Sequence, residues 1–475
     1  MNERPQLKKA INGLGFFALA FGSMIGVGWI TTLDNWFNSA GPGGAMIAFI
    51  AGGFLMLLIG LCYAELTPMM PVTGGEVAYA YKAFGTDKAF LVGWFLAFGY
   101  LSVSAFEAVS IGMVLGYLFP ALNSYELYSI HNSPVYLPHI ILAFIFTGAI
   151  TWINYRGIQV AMYVQVVLTA VLLCCTLLFV GSGITKGNIN NLVPFFSGET
   201  FSDHWKGFLA VFVMAPFWFV GFDTIPQAAE ERSSGQDVSK LGLYIILAII
   251  GSTIFYILIM LAAGMASPWQ DTVKYNLPTA AAFKSSFDSS WMVKVVLFSG
   301  VIGLLTSWNG FFIACTRVLF ALGRGHIIDK RFSSTHKEYG TPVNAIIFSG
   351  ILTALAACLG RGALIALVDV GSFCIAVAFL GVSLSFLKLR RSQPEMPRPY
   401  RLPLGNIIGF LAGIGSLFII VAMLVPFSPV FLVWPLEWVI LAPLCITGFL
   451  FWTFGKKQRQ EISEIDREIL ILKEE

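Results

Sequence analysis

The chain has 475 residues, 57% of them hydrophobic and only 12% charged, with a mean hydropathy of +0.78, whereas an ordinary soluble domain is about 25% charged. That balance excludes a soluble enzyme, and it excludes a disordered scaffold, which requires low hydrophobicity and high net charge. The net charge of +3, from 29 Lys and Arg against 26 Asp and Glu, leaves no basic surplus for a nucleic-acid partner.

A bilayer core about 30 Å thick takes about 20 apolar residues per helix, and lipid admits only helices or closed barrels as spanning backbone. Helix-length apolar runs fall at 13–37, 44–67, 89–119, 137–155, 158–181, 205–228, 240–266, 292–322, 342–359, 363–389, 405–426 and 430–454. Basic residues precede the first run, but no A-x-A site follows, so that run is a retained span rather than a cleaved signal. Twelve spans put both ends on one side. With the termini and even-numbered loops on that side, it holds 23 Lys and Arg and the other side 6, the asymmetry of cytoplasmic against outer loops. The expectation is a multi-pass protein of the plasma (cell inner) membrane with a cytoplasmic N-terminus (1–12) and C-terminal tail (455–475).

The tail places Ile462, Ile465, Ile469 and Leu472 at helical spacing, which fits either a solubilising extension or an amphipathic helix on the membrane surface. Polar outer loops lie near 120–136, 182–203 and 267–291, and no soluble domain is inserted. The seven cysteines, at 62, 174, 175, 315, 358, 374 and 445, sit in apolar runs without metal-ligand spacing and read as small core hydrophobes.

Two spans are interrupted. The first, FFALAFGSMIGVGWITTLDNWF, carries Gly22, Gly26 and Gly28 at its middle, a density that lets a helix unwind. The sixth, KGFLAVFVMAPFWFVGFDTIPQAAEE, carries Pro216, Gly221, Asp223 and Pro226, and proline removes a backbone donor. Interrupted spans at matching places in two halves point to a secondary transporter built from inverted repeats. Spans 1 and 6 open units of five, and an odd number inverts the second unit. Unwound segments offer free N–H groups to an anion and free carbonyls to a cation. Close helix packing is the other use of glycine in a membrane span.

GSMIGVGW (22–29) resembles the helix 1 element of the amino acid-polyamine-organocation superfamily, and FVGFDTIPQAAEE (219–231) its helix 6 element. CYAELTPMMPVTGGEVAYAYKAFG (62–85) is similar to that family's connection between helices 2 and 3. CTRVLFALGRGHIIDKRF (315–332) with GTPVNA (340–345) is similar to its helix 8 and following loop, and RPYRLPLG (398–405) to the segment before helix 11. The resemblance implies an all-α integral membrane fold of twelve transmembrane helices, a LeuT-like 5+5 inverted repeat plus two C-terminal helices, with helices 1 and 6 discontinuous. Repeat 1 would cover 13–181, repeat 2 205–389, and the added helices 405–454. It also implies uptake or exchange of amino acids or related amines by alternating access.

By the same resemblance, the backbone from Ile25 through Gly26 and Val27 to Gly28 receives a substrate carboxylate, and carbonyls between Phe217, Phe219 and Gly221 receive its ammonium. The family often has Ser where this chain has Val27, which removes a hydroxyl but keeps the backbone donors. Phe217 aligns with an aromatic that closes over substrate, its other reading being a packing ring. In helix 8, Thr306 and Ser307 resemble a hydroxyl pair that holds sodium together with carbonyls near Gly22 and Ile25; Trp308 and Asn309 follow on the same turn as pocket candidates. The helix 5 lysine of many proton-coupled relatives falls here on Leu172.

An ionisable group at mid-membrane is a functional candidate by its cost. Glu107, deep in span 3 with no Lys or Arg on its helix, is the first such group. It suits a cationic substrate group or a coupling proton, the alternative being a protonated carboxyl bonding a neighbouring helix. Asp223 aligns with an acidic residue found widely in the family and suits either coupling of protonation to gating or capping of the half-helix after the break. Asp34 suits an outer vestibule, while Glu65 and Asp369 near span ends suit loop binding.

The expected partners are a small-molecule substrate, amino acid or amine, and membrane lipid, with no nucleic acid and no obligatory protein partner. No cofactor or metal is expected beyond H+ or Na+ as coupling ion. Cationic amines or polyamines, or a sodium-coupled amino acid symport, are alternatives, as is a channel or transceptor on the same fold. An enzyme is not expected: His131, His139, His204, His326 and His336 are scattered, and neither HExxH nor GxSxG occurs.

Overall fold

The computed structural model describes residues 4–275, 277–287 and 290–472. Asn12 starts the first helix by accepting the Gly15 N–H at 2.8 Å, as N-cap residues do. In chain order come α1 (Gly13–Met24), α2 (Gly28–Thr31), α3 (Leu33–Met69), α4 (Gly75–Phe84) and α5 (Thr86–Leu118). A two-stranded antiparallel hairpin follows, β1 (Glu126–Ile130) with β2 (Ser133–Tyr136). Next are α6 (Leu137–Arg156), α7 (Ile158–Lys186), α8 (Phe201–Phe212), α9 (Ala215–Phe219), α10 (Thr224–Ala228) and α11 (Lys240–Ala266). The chain continues through α12 (Trp269–Thr272), α13 (Pro278–Phe287), α14 (Ser290–Arg324), α15 (Val343–Ala357) and α16 (Leu364–Ser392). It ends with α17 (Gly405–Leu424), α18 (Leu436–Phe454), α19 (Lys456–Glu461) and α20 (Glu464–Leu472).

Ten helices among the described residues are long and apolar enough to cross a membrane. The first interruption separates α1 from α2 at Ile25–Val27, and the second divides the sixth apolar run into α8, α9 and α10. Span 1 and span 2 run together as α3, kinked where Gly41 takes φ 72° and ψ 166°. Glycine is required there, since a Cβ would sit 2.7 Å from backbone atoms of Phe195 and Phe196.

Burial grades the helices from centre to rim, with α3 and α11 intermediate at 56% and 50%. The most apolar stretches of α1–α2, α5, α14 and α16 are 78–83% buried, against 22–33% for α6, α7, α17 and α18. The most buried helices are the centre of the molecule, and the least buried present Leu, Ile and Phe outward, as helices facing lipid do. Cys62, Cys315 and Cys374 are buried, as small core hydrophobes should be, but Cys174 and Cys445 are exposed on the outer helices, and Cys175 and Cys358 are half-buried.

Both ends of the chain meet on one face. Arg4 Nε donates to the Leu470 carbonyl at 2.9 Å, and we call this the terminal face. The tail is helical, but it is neither a free solubilising extension nor a helix whose isoleucine stripe is its buried face. Ile465 is 73% exposed, whereas Arg467, Ile471 and Leu472 are buried against protein. Arg467 donates to the carbonyls of Gly325 and Arg459 and to Thr86 Oγ1. These bonds dock α20 onto the ends of α5 and α14.

Candidate functional site

The two interruptions face each other. Gly221 takes φ 131°, and a Cβ on it would lie 2.8 Å from the Met24 backbone nitrogen. A Cβ on Gly28 would lie 2.2 Å from the Trp218 ring, so helices 1 and 6 meet backbone to ring across these glycines. α14 closes a third side: a Cβ on Gly303 would lie 2.8 Å from the Gly26 carbonyl and 3.2 Å from that of Ile25. Helix ends leave N–H and C=O groups without helical partners, so the centre of the molecule holds free peptide dipoles. The Met24 carbonyl is taken by the Tyr256 hydroxyl at 2.8 Å.

Glu107 of α5 enters this space from a fourth side. It is 1% exposed, and the polar groups it faces are the Ser307 hydroxyl and the Val27 N–H. A Cβ on Gly26 would lie 2.1 Å from Glu107 Oε1 and 3.1 Å from Ser307 Oγ. Oε2 has no hydrogen-bond partner. A carboxyl of the protein itself therefore occupies the mouth of the helix 1 break, where backbone N–H groups favour an anion. Gly26 keeps partial solvent access while its neighbours Ile25 and Val27 have none.

The other sequence candidates divide around this point. Phe217 packs edge-on to Phe106, 5.5 Å between centroids, which sets it beside Glu107. Phe219 turns the opposite way, onto Phe49 and Tyr256. Gly22 faces Thr169, Gln165 and Thr306, and Thr306 donates to the Gly303 carbonyl at 2.8 Å. Trp308 is fully buried with its Nε1 unbonded. Asn309 does not face Glu107; its Nδ2 donates to Gln165 Oε1 at 2.9 Å, and its Oδ1 accepts from Asn154 at 3.1 Å. Leu172 is fully buried in α7.

Asp223 stands at the N-cap of α10 but does not cap it. Its carboxylate folds back to accept the Gly221 N–H at 2.8 Å and the Tyr100 hydroxyl at 2.7 Å. Glu65 is held by Arg390, Arg398 and the Leu402 N–H, a loop-binding role. Asp369 faces Glu437, and Asp34 is half-buried in the field of Arg361. Sequence reasoning passed over Gln165, Asn154, Tyr100 and Tyr256, which read as ordinary span residues until the register between distant helices is known.

The two sides of the site differ. On the terminal face Arg317 pairs with Glu231 through Nε at 2.8 Å and Nη2 at 3.0 Å, both residues 1% exposed. Glu230 accepts from Arg4 at 2.7 Å, from Arg324 at 2.9 Å and from the Thr73 N–H at 3.0 Å. From the opposite face a cavity of about 510 Å³, bordered by Asn123, Tyr136, His139 and Arg361, reaches down to Ala108 and Val109 beside Glu107. The described residues include no group of three or more His, Cys, Asp or Glu placed to hold a metal ion.

This geometry can be set beside known proteins. The branched-chain amino acid permease of Bacillus subtilis is 27% identical over 424 residues, 87% of this chain and 88% of that protein. The amino-acid permease RocE of the same organism is 26% identical over 405 residues, 81% and 82% of the two chains. Cationic amino acid transporter 7, chloroplastic, of Arabidopsis thaliana is 27% identical over 377 residues, 78% of this chain and 64% of that protein. These are transport proteins and not enzymes. The family model described as amino acid permease matches residues 11–451, and the chain belongs to that family, within the amino acid-polyamine-organocation superfamily, as a multi-pass integral membrane transport protein.

Proposed function

We propose that the protein is a secondary active transporter that moves amino acids across the plasma membrane by alternating access. The observation that carries this reading is the apposition of the two unwound segments, with Gly221 against Met24 and Glu107 against Gly26. A substrate carboxylate is received by N–H groups of Gly26, Val27 and Gly28 once Glu107 withdraws, and its ammonium by Glu107 and by carbonyls near Phe217 to Gly221. Phe217 covers the site. The buried ion pairs of the terminal face and the cavity opposite support a state closed on the terminal side.

Twelve crossings follow if α8–α10 and the 15-residue α15 each cross once in addition to the ten long helices. The contact of Arg4 with Leu470 supports an even number. The charge asymmetry supports a cytoplasmic terminal face, and the five-helix offset of the interruptions supports a LeuT-like inverted repeat over 13–181 and 205–389, followed by two helices over 405–454. Proton coupling or exchange is the reading of the coupling step. Sodium at Gly22, Ile25, Thr306 and Ser307 is the alternative.

Counterflow in proteoliposomes tests the reading. Labelled amino acid should accumulate transiently against unlabelled internal substrate and saturate; flux without saturation or trans-stimulation overturns it in favour of a channel. A second reading, transport of cationic amino acids or amines, is favoured by Glu107, a buried carboxyl without a cationic partner among the described residues. Glu107→Gln should then abolish uptake of lysine or arginine and spare neutral substrates, whereas unchanged cation uptake removes that reading.

A further inference from the structure

Five buried carboxylates lie on residues 65–76 and 223–231: Glu65, Glu76, Asp223, Glu230 and Glu231. Glu65 is held by Arg390 and Arg398, Glu230 by Arg4 and Arg324, and Glu231 by Arg317. Glu76 and Asp223 are different. Both are fully buried, and among the described residues neither has an ion pair.

They belong to one polar chain. Gln227 Nε2 donates to Glu76 Oε2 and lies 3.4 Å from the Tyr100 hydroxyl, which donates to Asp223 at 2.7 Å. α4 presses against α10 to make this contact: a Cβ on Gly75 would lie 2.6 Å from Pro226 Cβ. Tyr63 of α3 turns its hydroxyl towards Glu76, and Tyr79 of α4 flanks it. Phe379 of α16 packs on Tyr63, and the cations of α14, Arg317 and Arg324, are turned to Glu231 and Glu230. Three fully buried oxygens here, Glu76 Oε1, Gln227 Oε1 and the Tyr63 hydroxyl, have no hydrogen-bond partner.

We propose that Glu76 is a second member of the coupling site, sharing one exchangeable proton with Asp223, the acid that the family resemblance already links to gating. A buried carboxylate without a cation is costly, and a second carboxylate on the same buried polar chain, joined to the first through Gln227 and Tyr100, adds to that cost. One proton resolves both costs. It binds a carboxylate oxygen from water on one side of the membrane, and the same O–H bond breaks to release it to water on the other. The pair is tied to the moving part of the site, because Asp223 holds the Gly221 N–H and Gly221 abuts Met24. A proton on Asp223 weakens that bond and loosens the helix 6 break from helix 1.

This inference rests on the transporter reading, and one experiment separates the two. Proteoliposomes are assayed for counterflow at equal pH and for accumulation of a neutral amino acid under an inward proton gradient with the membrane potential clamped at zero. With one proton per substrate, a gradient of about one pH unit sets an accumulation ratio of about tenfold. Wild type should show both activities; Glu76→Gln should keep counterflow while its accumulation ratio falls to about one, as expected for a lost coupling proton. Glu76→Asp should restore accumulation with a displaced pH profile, and it decides the matter if Glu76→Gln does not fold. Wild-type counterflow without proton-driven accumulation, accumulation driven by sodium instead, or a Glu76 variant with wild-type accumulation and pH profile overturns the proton pair. Absence of counterflow in the wild type overturns the transporter reading itself.

Discussion

At Gly26 a single hydrogen atom separates an open backbone from a blocked one. A methyl group there would meet Glu107 Oε1 at 2.1 Å and Ser307 Oγ at 3.1 Å, so the carboxyl has to shift to admit it. Overpacking of this kind costs about 1–3 kcal/mol. Gly26→Ala should therefore fold, with a melting temperature a few degrees lower, and lose substrate-induced thermal stabilisation; binding as strong as wild type would mean that the carboxyl does not have to share this space with a ligand. The glycines at 22, 26, 28 and 221 were legible in the sequence because backbone permissiveness is written in residue type and needs no partner. The partners of Asp223 and Asn309 were not legible. Tyr100, Asn154 and Gln165 become site or linking residues only through packing between helices far apart in sequence. Asn309 shows the limit of reading along one helix, since proximity to Ser307 in sequence placed it near the pocket while the helical turn carries it to α6 and α7.

The tail makes the same point for a whole element. Its helical periodicity was legible, but the face it buries was not, because the buried stripe runs through Arg467 and Ile471 instead of Ile465. An arginine on a buried face is stable only where its donors are satisfied, and here the carbonyls of Gly325 and Arg459 and the Thr86 hydroxyl satisfy them. Around it, Lys82 pairs with Glu468 at 2.7 Å and Tyr81 donates to the Glu464 carbonyl, so α20 is fastened to α4 as well as to α5 and α14. Hydrogen bonds from a charged donor contribute about 1.5–3 kcal/mol. Arg467→Ala should release α20 and raise amide exchange over 464–472 by roughly tenfold or more, since about 1.4 kcal/mol corresponds to tenfold. Exchange at the wild-type rate would show that the docking rests on Ile471 and Leu472 alone. The hairpin β1–β2 is a second element absent from the sequence reading, which saw only a polar loop at 120–136, since so short a pair lacks a sustained alternation.

For the whole molecule, the charge asymmetry that indicated sidedness also builds the closure of one face. Arg4, Arg317, Arg324, Arg390 and Arg398 were countable as topology markers, but each is bonded to a buried or nearly buried carboxylate, and that pairing depends on tertiary structure. Glu230 joins the N-terminal segment, the end of α14 and, through Arg4, the end of α20. Burial by itself raises the Glu230 pKa; Arg324 and Arg4 outweigh it and pull the carboxyl from the ordinary 4.5 to about 2. A folded pKa below the unfolded one stabilises above the unfolded value, so this contribution is complete above pH 4.5 and is lost only as pH falls through about 2. At about 1.36 kcal/mol per unit, the closure gains on the order of 3 kcal/mol from this group at neutral pH. Glu230→Gln should lower the melting temperature at pH 7 and raise amide exchange over residues 4–11 and 464–472, yet leave the slope of stability against pH unchanged between pH 5 and pH 8. Acid sensitivity of transport in that range must then originate at groups without a cationic partner, such as Glu76 and Asp223. If wild type instead loses protection of the terminal face between pH 7 and pH 5, and Glu230→Gln abolishes that loss, the latch itself is the acid-sensitive element and the sign argued here is wrong.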